Sequence, residues 1–397
     1  MGDVNRADDR TGGMGGMRGT GGAGAGGTRG GGGGGVNLLA LRSHNAALVL
    51  DLLRTAGADG ISRLELAERT GLTPQAVSKI TARLREDGLA AEAGRRASTG
   101  GKPRTVLRLV PEAGHAVGVH LDRDEVRVVL VDLRGTVVGE RRAPLDLGAG
   151  ARAVLTAVTE AVRETVAGVL PAGTLTRAGS LLGAGVALPG PLDHARGVLH
   201  RVTGFPEWDG FPLREALAER LGVPVVVDKD TNAAALGLAA GGEAGSFAYL
   251  HLGTGLGAGL VIGGAVHRGA RTGAGEFGHQ VIQLDGPPCT CGDRGCVEAL
   301  CLGAVARGDT AEAARVLGAG AANLVSLLDI DVVLLGGRTV ATAPEVFVRG
   351  VGTVLEAWAR RTGQEAVPVR VAAGGGRVVA VGAAQLVLGP VFGRGGG

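Results

Sequence analysis

Aromatic side chains are scarce in this chain, with 6 Phe, 2 Trp and 1 Tyr among 397 residues. A core must therefore be filled by Val, Leu, Ile and Ala, and no aromatic platform for stacking single-stranded bases is expected. Long apolar runs are missing as well. No stretch reaches the roughly 18 to 20 uncharged residues that span a bilayer, and the N-terminus has no hydrophobic signal core. Neither membrane insertion nor secretion is expected, and the expected location is the cytoplasm. Cysteine is missing from most of the chain, since all 4 lie between Cys289 and Cys301. A disulfide framework, which spreads its half-cystines, does not fit that clustering.

What the chain has in abundance is glycine, 75 residues. Residues 1–35 are dominated by it, with Val4 and Met as the only larger apolar types. Such a segment cannot offset its ordering entropy by burial and is expected to be a disordered tail, unless translation starts further along. The remaining length exceeds one ordinary core, so two or three domains are expected, and a hydrophobic fraction of 45% is ample for them. Net charge is +3 overall, yet residues 37–110 alone carry 12 Lys and Arg against 7 Asp and Glu, a net +5. The basic character belongs to the N-terminal module.

From Asn37 the pattern turns helical, with Leu48, Leu52 and Leu53 marking one face of a helix that ends near Gly57. Ser62 and Glu65 have capping-box spacing, Ile61 and Leu66 suit a hydrophobic staple, and Gly71 stops this second helix. Thr73 is the expected N-cap of a third helix, with Pro74 at its first position and an end near Asp87. Three helices with a short turn between the last two describe a helix-turn-helix. On the third, Val77, Ile80 and Leu84 are expected to face the core. Thr73, Gln75, Ser78, Lys79 and Arg83 are left to meet bases and phosphates, although a polar stripe is more often only solvated. The next segment, with Arg95, Arg96, Gly101, Lys102, Pro103 and Arg104, is expected to be a basic loop between strands 89–93 and 105–109. It has the composition of a wing that enters a minor groove. These residues assign a winged helix-turn-helix to 36–112 and double-stranded DNA as its partner.

After Pro111, apolar runs at 116–121, 126–133, 183–188, 223–228, 248–252, 260–262 and 332–335 alternate with helical stretches such as 151–169 and 213–221. Alternation of this kind argues for α/β layers. Within this unit His279, Cys289, Cys291 and Cys296 lie close enough in sequence to enclose a tetrahedral Zn2+, with Cys301 as a possible substitute ligand and reduced structural thiols as the plain alternative. Glu276 stands three residues before His279 and Glu298 two after Cys296, so a metal there would fix two carboxylates beside a pocket.

These motifs resemble the ROK family of sugar kinases and sugar-responsive repressors. The resemblance is carried by Leu41-Arg-Ser-His-Asn45, Gly100-Gly-Lys-Pro-Arg104, Pro189-Gly-Pro-Leu-Asp193, Leu252-Gly-Thr-Gly-Leu-Gly257, Gly275-Glu-Phe-Gly-His279 and the Cys-x-Cys-Gly-x-x-Gly-Cys-x-Glu run. It implies a two-lobed actin-like ATPase (ribonuclease H-like) sugar-kinase fold over 113–392. It also implies Zn2+ on His279, Cys289, Cys291 and Cys296, sugar hydroxyl contacts from Glu276, His279 and Glu298, and Asp230 at the family's catalytic-base position. A winged helix on such a domain implies a repressor of sugar uptake or catabolism genes, acting as a homodimer or homotetramer on an inverted repeat and modulated by a sugar or sugar phosphate.

Three departures bear on activity. Kinases of the family carry Asp-x-Gly-Gly-Thr where this chain has His120-Leu-Asp-Arg-Asp124, and carboxylates there repel phosphate, so phosphoryl transfer is expected to be crippled and the chain not an enzyme. Lys229 stands for a sugar-contacting Asn and is expected to pair with Asp230 or Asp228. Gly204 stands for another. The alternative reading is an ATP-dependent sugar kinase, such as a glucokinase or N-acetylhexosamine kinase, with an accessory DNA-binding module. Leu252–Gly259 reads first as a tight hairpin and second as a phosphate loop. Only about 34 residues separate Cys301 from Gly336-Gly337, so a trimmed second lobe is expected.

Overall fold

The computed structural model describes residues 44–98, 101–171, 180–200, 202 and 205–394, with side chains left out at 95–98 and 101–103. The Gly-rich segment 1–35, Leu41 to Ser43, Gly100 and Gly204 lie outside the described residues. Residues 44–394 belong to one compact unit. No helix of the described residues is long and apolar enough to cross a membrane.

The N-terminal part is built from α1 (His44–Thr55), β1 (Ile61–Ser62), α2 (Arg63–Thr70) and α3 (Pro74–Glu86), followed by a hairpin of β2 (Ala90–Ser98) and β3 (Gly101–Leu109). The capping box forms as the spacing requires. Ser62 Oγ accepts from Glu65 N, Glu65 returns a carboxylate to Ser62 N, and Gly71 ends the helix in the left-handed region. Thr73 caps α3 through Ala76 N. Three details differ from the pattern. On α1 the buried residues are Ala46, Ala47, Val49, Leu50 and Leu53, while Leu48 and Leu52 are half-buried, because this helix is covered from two sides rather than one. On α3 Ile80 is only half-buried and Thr81 is fully buried. Its hydroxyl bonds to the Val77 carbonyl at 2.8 Å and accepts from Arg63 Nε at 3.2 Å, so the polar group is satisfied. The basic segment is not a loop between short strands. The strands run through it, with Arg95 opposite Thr105 and Arg96 opposite Arg104. Pro103 falls at a register shift in the ladder, between the pairs Arg96 with Arg104 and Ser98 with Gly101, a place where proline is accepted in a strand.

Two five-stranded sheets follow, and they repeat one topology. The first contains β4 (His115–Leu121), β5 (Glu125–Asp132), β6 (Val137–Pro144), β7 (Leu181–Leu188) and, after a two-stranded flap of β8 (Leu192–Asp193) and β9 (Val198–Leu199), β10 (Val225–Lys229). Its helices are α4 (Ala151–Ala167), α5 (Leu213–Leu221) and α6 (Asp230–Ala240). The second contains β11 (Phe247–Leu252), β12 (Leu256–Ile262), β13 (Ala265–Val266), β14 (Val332–Gly336) and β15 (Val369–Val371), with α7 (Val297–Ala306), α8 (Thr310–Leu328), α9 (Arg338–Thr342), α10 (Pro344–Thr362) and α11 (Val378–Val391). Strand orders are β10-β7-β4-β5-β6 and β13-β12-β11-β14-β15. In each, three antiparallel strands precede two parallel ones. The apolar runs mark the central strands of both sheets and, at 223–228, the edge strand β10. Edge strand β6 escapes such a reading because Glu140, Arg141 and Arg142 interrupt it and most of it is exposed.

Helix α11 joins the parts. Its Ala380, Ala384 and Leu388 share a buried cluster with Leu50 and Leu53 of α1 and with Val129 and Val131 of β5. The contact with the first sheet is backbone-close: a Cβ on Gly185 would overlap the carbonyl of Ala383, so only glycine fits.

Candidate functional site

The cleft between the two sheets is lined by strand ends and turns. Strand β10 ends at Lys229 and α6 starts at Asp230, which bonds to Thr231 N at 2.7 Å. Adjacent strand residues face opposite sides, so Asp228 and Lys229 part company. Buried Asp228 takes Arg268 Nε at 2.8 Å and Asn232 Nδ2 at 3.0 Å. Lys229, only 3% exposed, reaches Glu276 Oε1 at 2.9 Å and also donates to the Ala274 carbonyl. The expected pairing of Lys229 with Asp230 or Asp228 is thus replaced by one with Glu276.

Glu276 precedes a single 3-10 turn, Phe277–His279. Gly275 before it sits at φ +84°, where a Cβ would overlap the Ala258 carbonyl on β12, so the motif's first glycine brings the loop onto that strand. Glu298, in the first turn of α7, accepts from Leu256 N at 2.7 Å. Asp122, Asp230, Glu276, His279 and Glu298 all line one cleft, together with Lys229 and Arg123. The segment 252–257 is a hairpin turn whose ends pair Leu252 with Leu256, and Thr254 to Gly257 line the cleft.

Beside the cleft, ligand atoms of His279, Cys289, Cys291 and Cys296 all lie within 4.8 Å of one another. Cys289 Sγ is 3.7 Å from His279 Nδ1, and Cys291 Sγ is 3.7 Å from Cys296 Sγ. Tetrahedral bonds of about 2.3 Å to sulfur separate ligand atoms by about 3.7 Å, so the donor set fits a closed metal site. Cys301 is not part of it. It is buried on α7 and bonds to the Ala313 carbonyl at 3.3 Å, and burial pushes its thiol up to about 12.

Three features of the cleft leave no simple sequence mark. Arg338, directly after Gly336-Gly337, crosses between the lobes to Asp122 and Asp124, with Nη1 2.8 Å from Asp124 Oδ2. That hydrogen bond holds the Asp124 carboxyl below the usual carboxylate range. Arg123 lies over Phe205, 5.5 Å from the ring centroid. Tyr249 Oη is 2.9 Å from His251 Nδ1. An arginine facing two aspartates more than 200 positions away can be found only through the fold.

In the helix-turn-helix, Gln75, Ser78, Lys79 and Arg83 are exposed along α3, and Arg104 is exposed on β3. Thr73 is exposed too, with its hydroxyl engaged in the cap. The side chains of Arg95, Arg96 and Lys102 lie outside the described residues.

A winged helix joined to a duplicated sheet fold, with a cysteine-histidine cluster beside the interlobe cleft, defines a sugar-kinase-like protein carrying a DNA-binding module. The chain belongs to the ROK family. The ROK family model matches residues 116–307, and a model described as winged helix-turn-helix DNA-binding matches 49–90. The chain is 32% identical to the ROK hexokinase of Thermus thermophilus, over 70% of its own length and 99% of that protein's, with a TM-score of 0.56. It is 31% identical to the xylose repressor of Caldicellulosiruptor bescii over 243 residues, covering 60% of this chain and 59% of that repressor. In fold it matches a ROK family transcriptional regulator, a homolog of the E. coli MLC protein, at a TM-score of 0.70 and 21% identity, over 89% of this chain and 98% of that one.

Proposed function

We propose that this protein is a DNA-binding transcriptional regulator, a repressor of sugar uptake or catabolism genes, whose kinase-like part senses a sugar instead of phosphorylating it. The observation that carries this is the core shared by α1 and α11, through which the cleft and the helix-turn-helix are parts of one packed body. On this reading α3 enters the major groove with Gln75, Ser78, Lys79 and Arg83 toward bases and phosphates, while Arg95, Arg96, Lys102 and Arg104 of the hairpin bind the flanking minor groove. Two copies related by a twofold axis meet an inverted repeat. Ligand bound to Glu276, His279 and Glu298 shifts the lobes, and operator affinity follows from its different affinity for the two states. The division 36–112 and 113–392 and a cytoplasmic location belong to the same proposal.

His279, Cys289, Cys291 and Cys296 would hold Zn2+. The ion would supply a rigid, closed coordination shell that keeps His279, and with it Glu276, at the cleft wall. Asp230 supports a second reading, an ATP-dependent sugar kinase, because the base position is retained in the cleft. The test is selection of genomic fragments by the purified protein beside a Lys79→Ala, Lys102→Ala variant, followed by operator titration with sugars. An inverted repeat lost in the variant and released by a sugar is expected. ADP release with hexoses that vanishes in Asp230→Asn, with no fragment enriched, would hand the function to the kinase reading.

A further inference from the structure

The basic side chains that border the cleft are all engaged within the chain. Lys229 gives its ammonium to Glu276 and the Ala274 carbonyl. Arg123 covers the ring of Phe205. Arg338 reaches the cleft mouth from the second lobe and donates to Asp122 and to both oxygens of Asp124. His279 belongs to the cysteine cluster, and His251 is bonded to Tyr249. Against them stand the carboxylates of Asp122, Asp230, Glu276 and Glu298 in the cleft wall. Among the described residues, the cleft therefore has four carboxylates in its wall and no cation without an internal partner.

The position of the arginine bridge matters as much as its charge. Asp122 lines this cleft and also a neighbouring cavity of about 220 Å³ that extends past Arg338 to Val379. The bridge stands where the two meet. Recognition of phosphate relies on guanidinium or ammonium groups whose donors point at the ligand. Here the guanidinium of Arg338 already has two carboxylates in its fork, Arg127 and Arg142 in the neighbouring cavity are paired with Glu140 and Glu125, and Asp124 is held in its ionised form by the contact with Arg338. A phosphate ester carries close to two negative charges, and at this point it would meet Asp122, Asp124 and Asp230. A sugar hydroxyl both donates and accepts, so it can satisfy a carboxylate without bringing charge.

We propose that the bridge from Arg338 to Asp122 and Asp124 is a selectivity filter, by which the cleft takes an uncharged polyhydroxylated ligand and excludes its phosphate ester and nucleotide phosphates. The inference rests on the sensor reading above and narrows its ligand class. Arg338, Asp122 and Asp124 are the specificity-determining residues, and none of them need touch the accepted ligand.

The test is calorimetry on the full chain with glucose, xylose and N-acetylglucosamine, with glucose 6-phosphate and N-acetylglucosamine 6-phosphate, and with inorganic tripolyphosphate as a sugar-free probe. The wild type is expected to bind a free sugar at least about tenfold more tightly than its phosphate ester and to ignore tripolyphosphate. Asp122→Asn with Asp124→Asn releases the guanidinium and is expected to raise tripolyphosphate and ester affinity by about tenfold or more. Arg338→Ala added to that pair is expected to remove the gain. Asp124→Asn alone, at a side chain that is 59% exposed, gives a smaller gain in the same direction and keeps the test open if the double variant does not fold. A wild type that prefers the ester, or a released Arg338 that gains nothing for tripolyphosphate, overturns the filter. A gain for tripolyphosphate with no sugar bound by any variant supports the filter and strikes the sensor reading instead.

Discussion

The guanidinium of Arg54 lies over the ring of Phe392, 5.1 Å from its centroid, and so ties α1 of the helix-turn-helix to the turn that ends α11. Arg394 adds a contact to Asp51 at 3.2 Å. Phe392 is 4% exposed and belongs to the cluster that contains Leu50 and Leu53. Phe392→Ala is expected to cost about 3 kcal/mol or more, the usual penalty for emptying a buried aromatic position. Arg54→Ala, which also removes the pair with Asp51, is expected to cost about 1–2 kcal/mol, as for a largely buried cation–π contact. Denaturant unfolding reads both. Equal effects of the two substitutions would show that the ring is not part of the shared core.

Removing one thiol of the cluster should act on metal and stability together. Cys291→Ser is expected to lower bound zinc from one equivalent toward none and to lower the melting temperature, with chelator reproducing the effect on the wild type. Cys301→Ser is expected to leave metal content intact, because that thiol bonds to the Ala313 carbonyl. Elemental analysis of the two purified variants separates these outcomes.

Glycines with opposite surroundings give a paired test. Gly185→Ala would drive a methyl group into the Ala383 carbonyl, and overpacking at such a site is expected to cost roughly 1–3 kcal/mol or more. Gly352→Ala on α10 meets nothing within 4 Å and is expected to stabilise by up to about 1 kcal/mol through helix propensity. Melting curves of the two variants should move in opposite directions.

Burial holds His120 below the usual histidine value of 6.5, against the pull of Asp230 and Asp122. The folded protein therefore keeps this imidazole neutral at pH values where the unfolded chain takes up a proton. Protons favour the unfolded state, so this contribution to stability falls as pH drops below about 6.5 and is unchanged above it. His120→Gln is expected to flatten the melting temperature between pH 7 and pH 5. An equal acid loss in the variant would assign the effect to other groups.

Much of the architecture was legible because it is written in local signals. Ser62 with Glu65, Thr73 with Pro74, and Gly71 are short-range devices that act on neighbouring backbone, and each sits where its spacing requires. The cysteine cluster was legible for the same reason, since three of its four ligands fall within eight residues, Cys289 to Cys296. What escaped depends on distance or on edges. Strand β6 has no apolar run because it lies at a sheet edge, where Val137 and Ala143 reach the core and Glu140, Arg141 and Arg142 form ion pairs instead. The partner of Lys229 was misread because Asp228 and Asp230 are nearest in sequence, whereas the strand turns the ammonium toward a loop 47 positions later. The Arg338 bridge spans 214 and 216 positions and has no local counterpart at all.

Helix α11 also imposes an order on synthesis. The helix-turn-helix leaves the ribosome long before residues 378–391, yet Leu50 and Leu53 bury against side chains of that later helix. A nascent or prematurely released chain thus carries the recognition helix with one flank of its support exposed. If the proposed function holds, competence to hold DNA arrives only with the segment that also completes the sensing half, and an unfinished copy is poorly equipped to silence a gene that it has no means of releasing.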